Sequence, residues 1–216
     1  EITIETLDNL LQPGVLSDAF TEYLQKLQGF DDKEVSSDET NQWYRENDLK
    51  FYQNIVANSS ETFNEQMFPI PYGSKAFPVA QYMAKLFADK RLKALEDRKK
   101  LQESGQKPPP VPVYIAASAL REKSLEASII ESVMKIEPNV FQQAIRNALK
   151  TRGGLILIFY GFDEETDQFY FERDNFINQL IKGSSAKLYR MILIAKDIHQ
   201  LMVWKNISAN FNVEEL

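Results

Sequence analysis

The chain has 216 residues, of which 44% are hydrophobic and 26% charged, an ordinary composition for a folded domain. It has no cysteine, which excludes disulfide bonds, thiolate catalysis and cysteine-based metal sites. No apolar run approaches the roughly 18 residues of a membrane span, and the acidic N-terminal sequence lacks the basic flank of a signal peptide. We therefore expect no membrane contact and a cytoplasmic location.

The charge is unevenly spread along the chain. Residues 1–70 contain 14 acidic and 4 basic side chains, a net charge of −10, whereas the whole chain carries −6. An acidic first third argues against nucleic-acid binding there. A solvated acidic face explains this segment more simply than a site for a basic partner.

Residues 1–65 have the pattern of a helical segment. Apolar residues recur at helical spacing in two groups, Leu7, Leu10, Leu11 and Phe20, Tyr23, Leu24, Leu27. The residues 12–15, with the sequence QPGV, separate these two predicted helices. A polar loop follows, and residues 41–58 form a third amphipathic segment.

From residue 66 onward, predicted strands alternate with predicted helices. The strands are 67–73, 111–117, 154–161, 189–196 and 206–211, and the helices between them are 76–105, 120–136, 139–151, 171–183 and 197–204. The run 154–161 is apolar throughout, as expected of a buried central parallel strand. The order predicts an α/β domain with a mostly parallel sheet, helices on both faces, and the N-terminal helical segment in front of it.

Three strand ends carry motifs, namely YGSKAF after the first strand, FYGFDEE after the third and LIAKD after the fourth. Their order and spacing resemble a P-loop NTPase, and more narrowly the NACHT branch of the STAND ATPases. The resemblance covers about residues 66–216. It implies a P-loop NTPase-like sheet that binds ATP and Mg²⁺. Gly73, Ser74 and Lys75 would then hold the phosphates, and Asp163 and Glu164 would be the catalytic acids.

The chain departs from that family at the residues that perform the chemistry. Pro69 and Pro71 have no N–H groups with which to wrap a phosphate. Ala76 has no hydroxyl for Mg²⁺, and Tyr160 replaces the aspartate that holds the metal shell; a phenol is a poor Mg²⁺ ligand. Lys196 replaces the arginine of the last motif. We therefore expect no metal site and no bound cofactor, unless a divergent active site binds ATP and Mg²⁺.

These departures favour a hydrolysis-deficient domain that binds a protein partner, as a scaffold in signalling, defence or effector function, within an oligomer or a longer chain. The alternative is an active ATP or GTP switch that uses Lys75, Asp163 and Glu164. A weaker alternative is a nuclease built on Asp163 and Glu172. Asp163 and Glu164 could equally be ordinary strand-end acids that pair with Lys196 or Arg190. His199, the single histidine, is expected on a helix surface.

Overall fold

A computed structural model describes residues 13–32, 35, 42–58, 66–69, 75–105, 108–121, 123–151, 153–162, 189–195 and 212–213. Several sequence-based expectations fall outside these residues. They are the first N-terminal helix, the helices predicted at 171–183 and 197–204, and the last strand predicted at 206–211.

The described elements alternate as the sequence predicts. In chain order they are α1 (Pro13–Gln28), α2 (Gln42–Asn58), β1 (Gln66–Pro69), α3 (Ala76–Glu96), α4 (Arg98–Ser104), β2 (Val111–Ala116), a 3₁₀ helix (Ala117–Leu120), α5 (Leu125–Ile136), α6 (Gln142–Lys150), β3 (Leu155–Tyr160), β4 (Tyr189–Ala195) and β5 (Asn212–Val213).

The five strands form one sheet in the order β2-β3-β4-β1-β5, and every pair of neighbours is parallel. The expected α/β class, with a parallel sheet flanked by helices, is confirmed. β3 and β4 lie in the interior of the sheet, and all but two of their side chains, Tyr160 and Arg190, are buried. This position explains why both strands are continuous apolar runs rather than alternating ones.

The path of the chain reverses direction within the sheet. From β1 the chain passes over β4 and β3 to reach β2, and it then returns through β3 and β4 toward β5. β1 and β4 are therefore the neighbours between which the order of the strands reverses.

A tyrosine of helix α1 binds the outer edge of β2. Val111 donates its N–H to Gly154 O at 2.9 Å, so the next residue, Pro112, points away from β3, where a missing N–H does no harm. The Pro112 carbonyl accepts the hydroxyl of Tyr23 at 2.8 Å. Tyr23 is fully buried, and burial raises the pKa of its phenol well above the usual range, so the group remains a neutral donor.

Both N-terminal helices belong to the same hydrophobic core as the sheet. Phe20, Leu24 and Leu27 of α1 and Tyr52 of α2 are fully buried in it. Two lysines of α3 also secure the helix ends. The Lys85 ammonium donates to Phe30 O at 2.9 Å, just beyond α1, and the Lys90 ammonium donates to Val56 O at 2.9 Å, in the last turn of α2.

The structure divides one predicted helix into two and shortens another. Asp97 leaves the helical conformation (φ −96°, ψ 53°), and its carboxylate accepts the N–H of Lys100 at 3.4 Å, so it ends α3 and caps α4. The predicted helix 120–136 begins only at Leu125. Ser124 caps it by accepting the N–H of Ala127 at 3.2 Å. In both places a side-chain oxygen competes with the helical backbone for an N–H group.

An ion pair joins α1 to the end of α5. Lys26 pairs with Glu137, which is buried and also accepts the N–H of Asn139 at 3.2 Å. The hydrogen bond from Lys26 holds the pKa of Glu137 below its usual value of 4.5. A lowered carboxyl pKa stabilises the folded state above that value, and the stabilisation is lost as pH falls through the lowered pKa.

We therefore expect Glu137→Gln to destabilise the protein near pH 7 and to have a progressively smaller effect below pH 4.5. Urea unfolding of both proteins at a series of pH values measures this difference. Glu22→Gln, at an exposed carboxylate of α1, is the matched control. A wild-type advantage over Glu137→Gln that stays constant down to pH 3 would contradict the ion-pair account.

Candidate functional site

The candidate site lies at the carboxyl ends of β1 and β4. In parallel α/β sheets, ligands bind at the carboxyl ends of the strands where the strand order reverses. Here Pro69 at the end of β1 pairs with Ala195 at the end of β4, and Tyr160 at the end of β3 pairs with Ile194. We call this region the crevice.

Only one of the five predicted site residues is described. Lys75 has an extended backbone (φ −95°, ψ 139°) at the N-cap position of α3, and its exposed side chain makes no capping hydrogen bond. Gly73, Ser74, Asp163 and Glu164 lie outside the described residues, as do Glu172, Lys196 and His199. Their predicted roles remain predictions.

The first turn of α3 offers few groups to an anion. Ala76 is buried and has no hydroxyl, and Pro78 has no N–H. The N–H of Val79 bonds to Lys75 O at 3.5 Å. A helix start binds phosphate through its free N–H groups, and here those of Ala76 and Phe77 are left to do so.

Four aromatic rings form a chain of contacts that includes Phe77, two residues after Lys75, and we call them the aromatic cluster. Ring centroids lie 6.1 Å apart for Phe30 and Tyr114, 5.9 Å for Tyr114 and Phe77, and 5.8 Å for Phe77 and Tyr160. The cluster thus runs from the end of α1 across β2 and the start of α3 to the end of β3. Phe77 is 45% exposed and the other three rings are half-buried.

The aromatic cluster is uncharged. Burial raises the pKa of the Tyr114 phenol, although a hydrogen bond from Gln81 at 3.5 Å acts in the opposite direction. The contacts of Tyr114 with Phe77 and Gln81 also show that its side chain lies on the α3 face of the sheet. Tyr160, which contacts Phe77, lies on this same face, so α3 and β3 meet through their rings.

The chain turns immediately after Tyr160. Gly161 has φ 82°, a left-handed conformation that glycine adopts without strain. The next residue, Phe162, is fully buried and packs edge to face on Phe159 at 6.0 Å. This packing fixes the end of β3, and with it the position of Tyr160.

Two general features bear on possible ligands. Within the described ranges, no group of three or more histidine, aspartate or glutamate side chains is placed to hold a metal ion. No helix in the same ranges is long and apolar enough to cross a membrane.

Tyr160 was identifiable from the sequence, but its contact with Phe77 and the contact of Phe77 with Tyr114 were not. A signal for Phe77 was present, because a bulky ring two residues after the candidate lysine falls in the first turn of the helix. The contact with Tyr114 joins residues far apart in the sequence, and no local pattern indicates it.

Comparison with known proteins gives no match to a family model, to a curated protein or to a solved structure. What the chain does must therefore be inferred from the residues at the crevice.

Proposed function

We propose that the chain is a NACHT-like domain that has lost nucleotide hydrolysis and acts as a protein-interaction or scaffolding module. The observation that carries the proposal is the contact of Tyr160 with Phe77, with ring centroids 5.8 Å apart. Under the resemblance, residue 160 would instead be a carboxylate that faces Mg²⁺. A half-buried phenol packed on phenylalanine supplies no charge for that role.

Other features of the crevice support the same proposal. Phosphoryl transfer depends on the positioning of the phosphates and on the charge of the metal ion. Ala76 cannot ligate a metal, and Pro78 removes a backbone donor from the first turn of α3. The parallel sheet and the lysine at the start of the helix that follows β1 support the NACHT-like part of the proposal.

The proposal predicts that the purified protein binds neither ATP nor ADP. Isothermal titration calorimetry with and without Mg²⁺ should show no binding heat at millimolar nucleotide. Lys75→Ala should give the same traces as the wild type. Micromolar binding that is lost in Lys75→Ala would overturn the proposal, because it would show that the loop before α3 still holds phosphate.

A second candidate function is a divergent ATP or GTP switch. It is favoured by Lys75, an exposed lysine at the start of α3 with no capping contact, where a helix dipole attracts anions. This candidate requires nucleotide turnover that falls in Asp163→Asn or Glu164→Gln. A malachite green assay of phosphate release from ATP and GTP separates it from the first candidate.

A further inference from the structure

We infer that Phe77 and Tyr160 form a plug that excludes a metal-bound phosphate from the crevice, so that the rings themselves, and not only the missing ligands, block nucleotide binding. The inference rests on the proposed function, since it concerns the same site. It explains a feature that loss of catalysis alone does not require, namely a pair of aromatic rings between the start of α3 and the end of β3.

The first reason for the inference is the position of the two rings. In the resembled arrangement, Mg²⁺ lies between the hydroxyl of residue 76 and the carboxylate of residue 160. Mg²⁺ holds its oxygen ligands at about 2.1 Å and keeps several waters, so it needs open space between these two residues. Here Phe77 reaches from the first turn of α3 to Tyr160, the last residue of β3, and the two rings are in contact.

The second reason is that neighbouring residues hold the two rings in place. Tyr114 packs edge to face on Phe77 at 5.9 Å, and Phe30 packs on Tyr114 at 6.1 Å. On the strand side, Gly161 and the buried Phe162 fix the end of β3 immediately after Tyr160. The two rings are thus supported from both sides, which favours a fixed plug over a side chain that swings away.

The third reason is that Lys75 and Phe77 are exposed to solvent. Lys75, two residues before Phe77, is exposed, and Phe77 itself is 45% exposed. Removal of the rings would therefore open space near the start of α3, which already carries an exposed cation. Replacement of Phe77 by a small residue should be tolerated, because much of its ring already faces solvent.

The test compares Phe77→Ala and the double variant Phe77→Ala/Tyr160→Ala with the wild type. Binding of ATP and of inorganic pyrophosphate is measured by calorimetry, with and without Mg²⁺, and thermal unfolding confirms that each variant folds. Because the wild type is expected to give no binding heat at millimolar nucleotide, we expect the double variant to bind measurably, with a dissociation constant at least about tenfold below that concentration. Phe77→Ala should show a smaller gain.

Phe141→Ala is the matched control, because Phe141 is another exposed phenylalanine, 76% exposed at the start of α6. It should leave binding unchanged. Folded variants that bind no better than the wild type would overturn the plug, while the proposed function would stand. Tight binding by the wild type itself would overturn the proposed function instead, so the two failures are distinguishable.

Discussion

A chain that begins at Gln66, without α1 and α2, is expected not to fold. Six large side chains of these helices are buried in the common core, namely Phe20, Tyr23, Leu24, Leu27, Tyr52 and Val56. Burial of such a side chain contributes about 1.5–3 kcal/mol, so the six together contribute roughly 9–18 kcal/mol. This gross contribution is of the same order as the net stability of a typical domain, about 5–15 kcal/mol, and the entropy cost of ordering the two helices offsets part of it.

The polar contacts of the two helices add to this effect. Truncation would leave the Pro112 carbonyl without the Tyr23 hydroxyl, and it would leave Lys85 and Lys90 without the carbonyls that they bind. Far-UV circular dichroism and urea unfolding of residues 66–216 measure the outcome. The 216-residue chain carrying Glu22→Gln, at an exposed position of α1, should unfold like the wild type.

A cooperative unfolding transition of the 66–216 chain would contradict this expectation. It would show that the predicted boundary at residue 65 is also a boundary of folding. Because α3 carries both the lysines that hold α1 and α2 and the crevice residues Lys75 and Phe77, we expect loss of the helices to disturb the crevice as well.

Local sequence pattern predicted the strands β2, β3 and β4 closely. It was wrong about the start of α1, which begins at Pro13 inside the predicted break at 12–15, and β5 (Asn212–Val213) follows the strand predicted at 206–211. β3 and β4 are continuous apolar runs because both strands lie inside a parallel sheet, and the observed bounds fall within the predicted ones. The spacing of Phe20, Tyr23, Leu24 and Leu27 predicted one helical face, and all four residues are fully buried. In each case the pattern of apolar side chains within one element indicates which of its side chains are buried.

Features that depend on long-range contacts were not predictable in this way. The bond from Tyr23 to Pro112 joins residues 89 positions apart, and the aromatic cluster combines residues from four separate elements. The break at Asp97 was not predictable because an aspartate can either continue a helix or end it. Here its carboxylate accepts the N–H of Lys100 and starts a new helix. Of the site residues, the sequence placed Lys75 correctly at the start of a helix.

Gly154→Ala is expected to destabilise the protein severely. Gly154 joins the end of α6 to β3, and a Cβ added there would meet the Ala148 carbonyl oxygen at 2.4 Å and the Thr151 carbonyl oxygen at 3.1 Å. Both are backbone atoms, so relief requires movement of the end of α6 or of the first residue of β3. We expect a loss of about 3 kcal/mol or more in the free energy of unfolding.

Gly153→Ala, the adjacent position, separates this steric effect from backbone strain. Gly153 has φ 72°, but a Cβ there would meet nothing within 4 Å, so its substitution costs about 1–2 kcal/mol through the left-handed conformation alone. Urea unfolding of both variants gives the comparison. Equal losses would show that the close approach of Gly154 to α6 is not what fixes this turn.

A much larger loss in Gly154→Ala, together with an altered near-UV signal from the aromatic residues, would link this turn to the position of β3. Since β3 ends at Tyr160, the same turn would then determine where the ring meets Phe77.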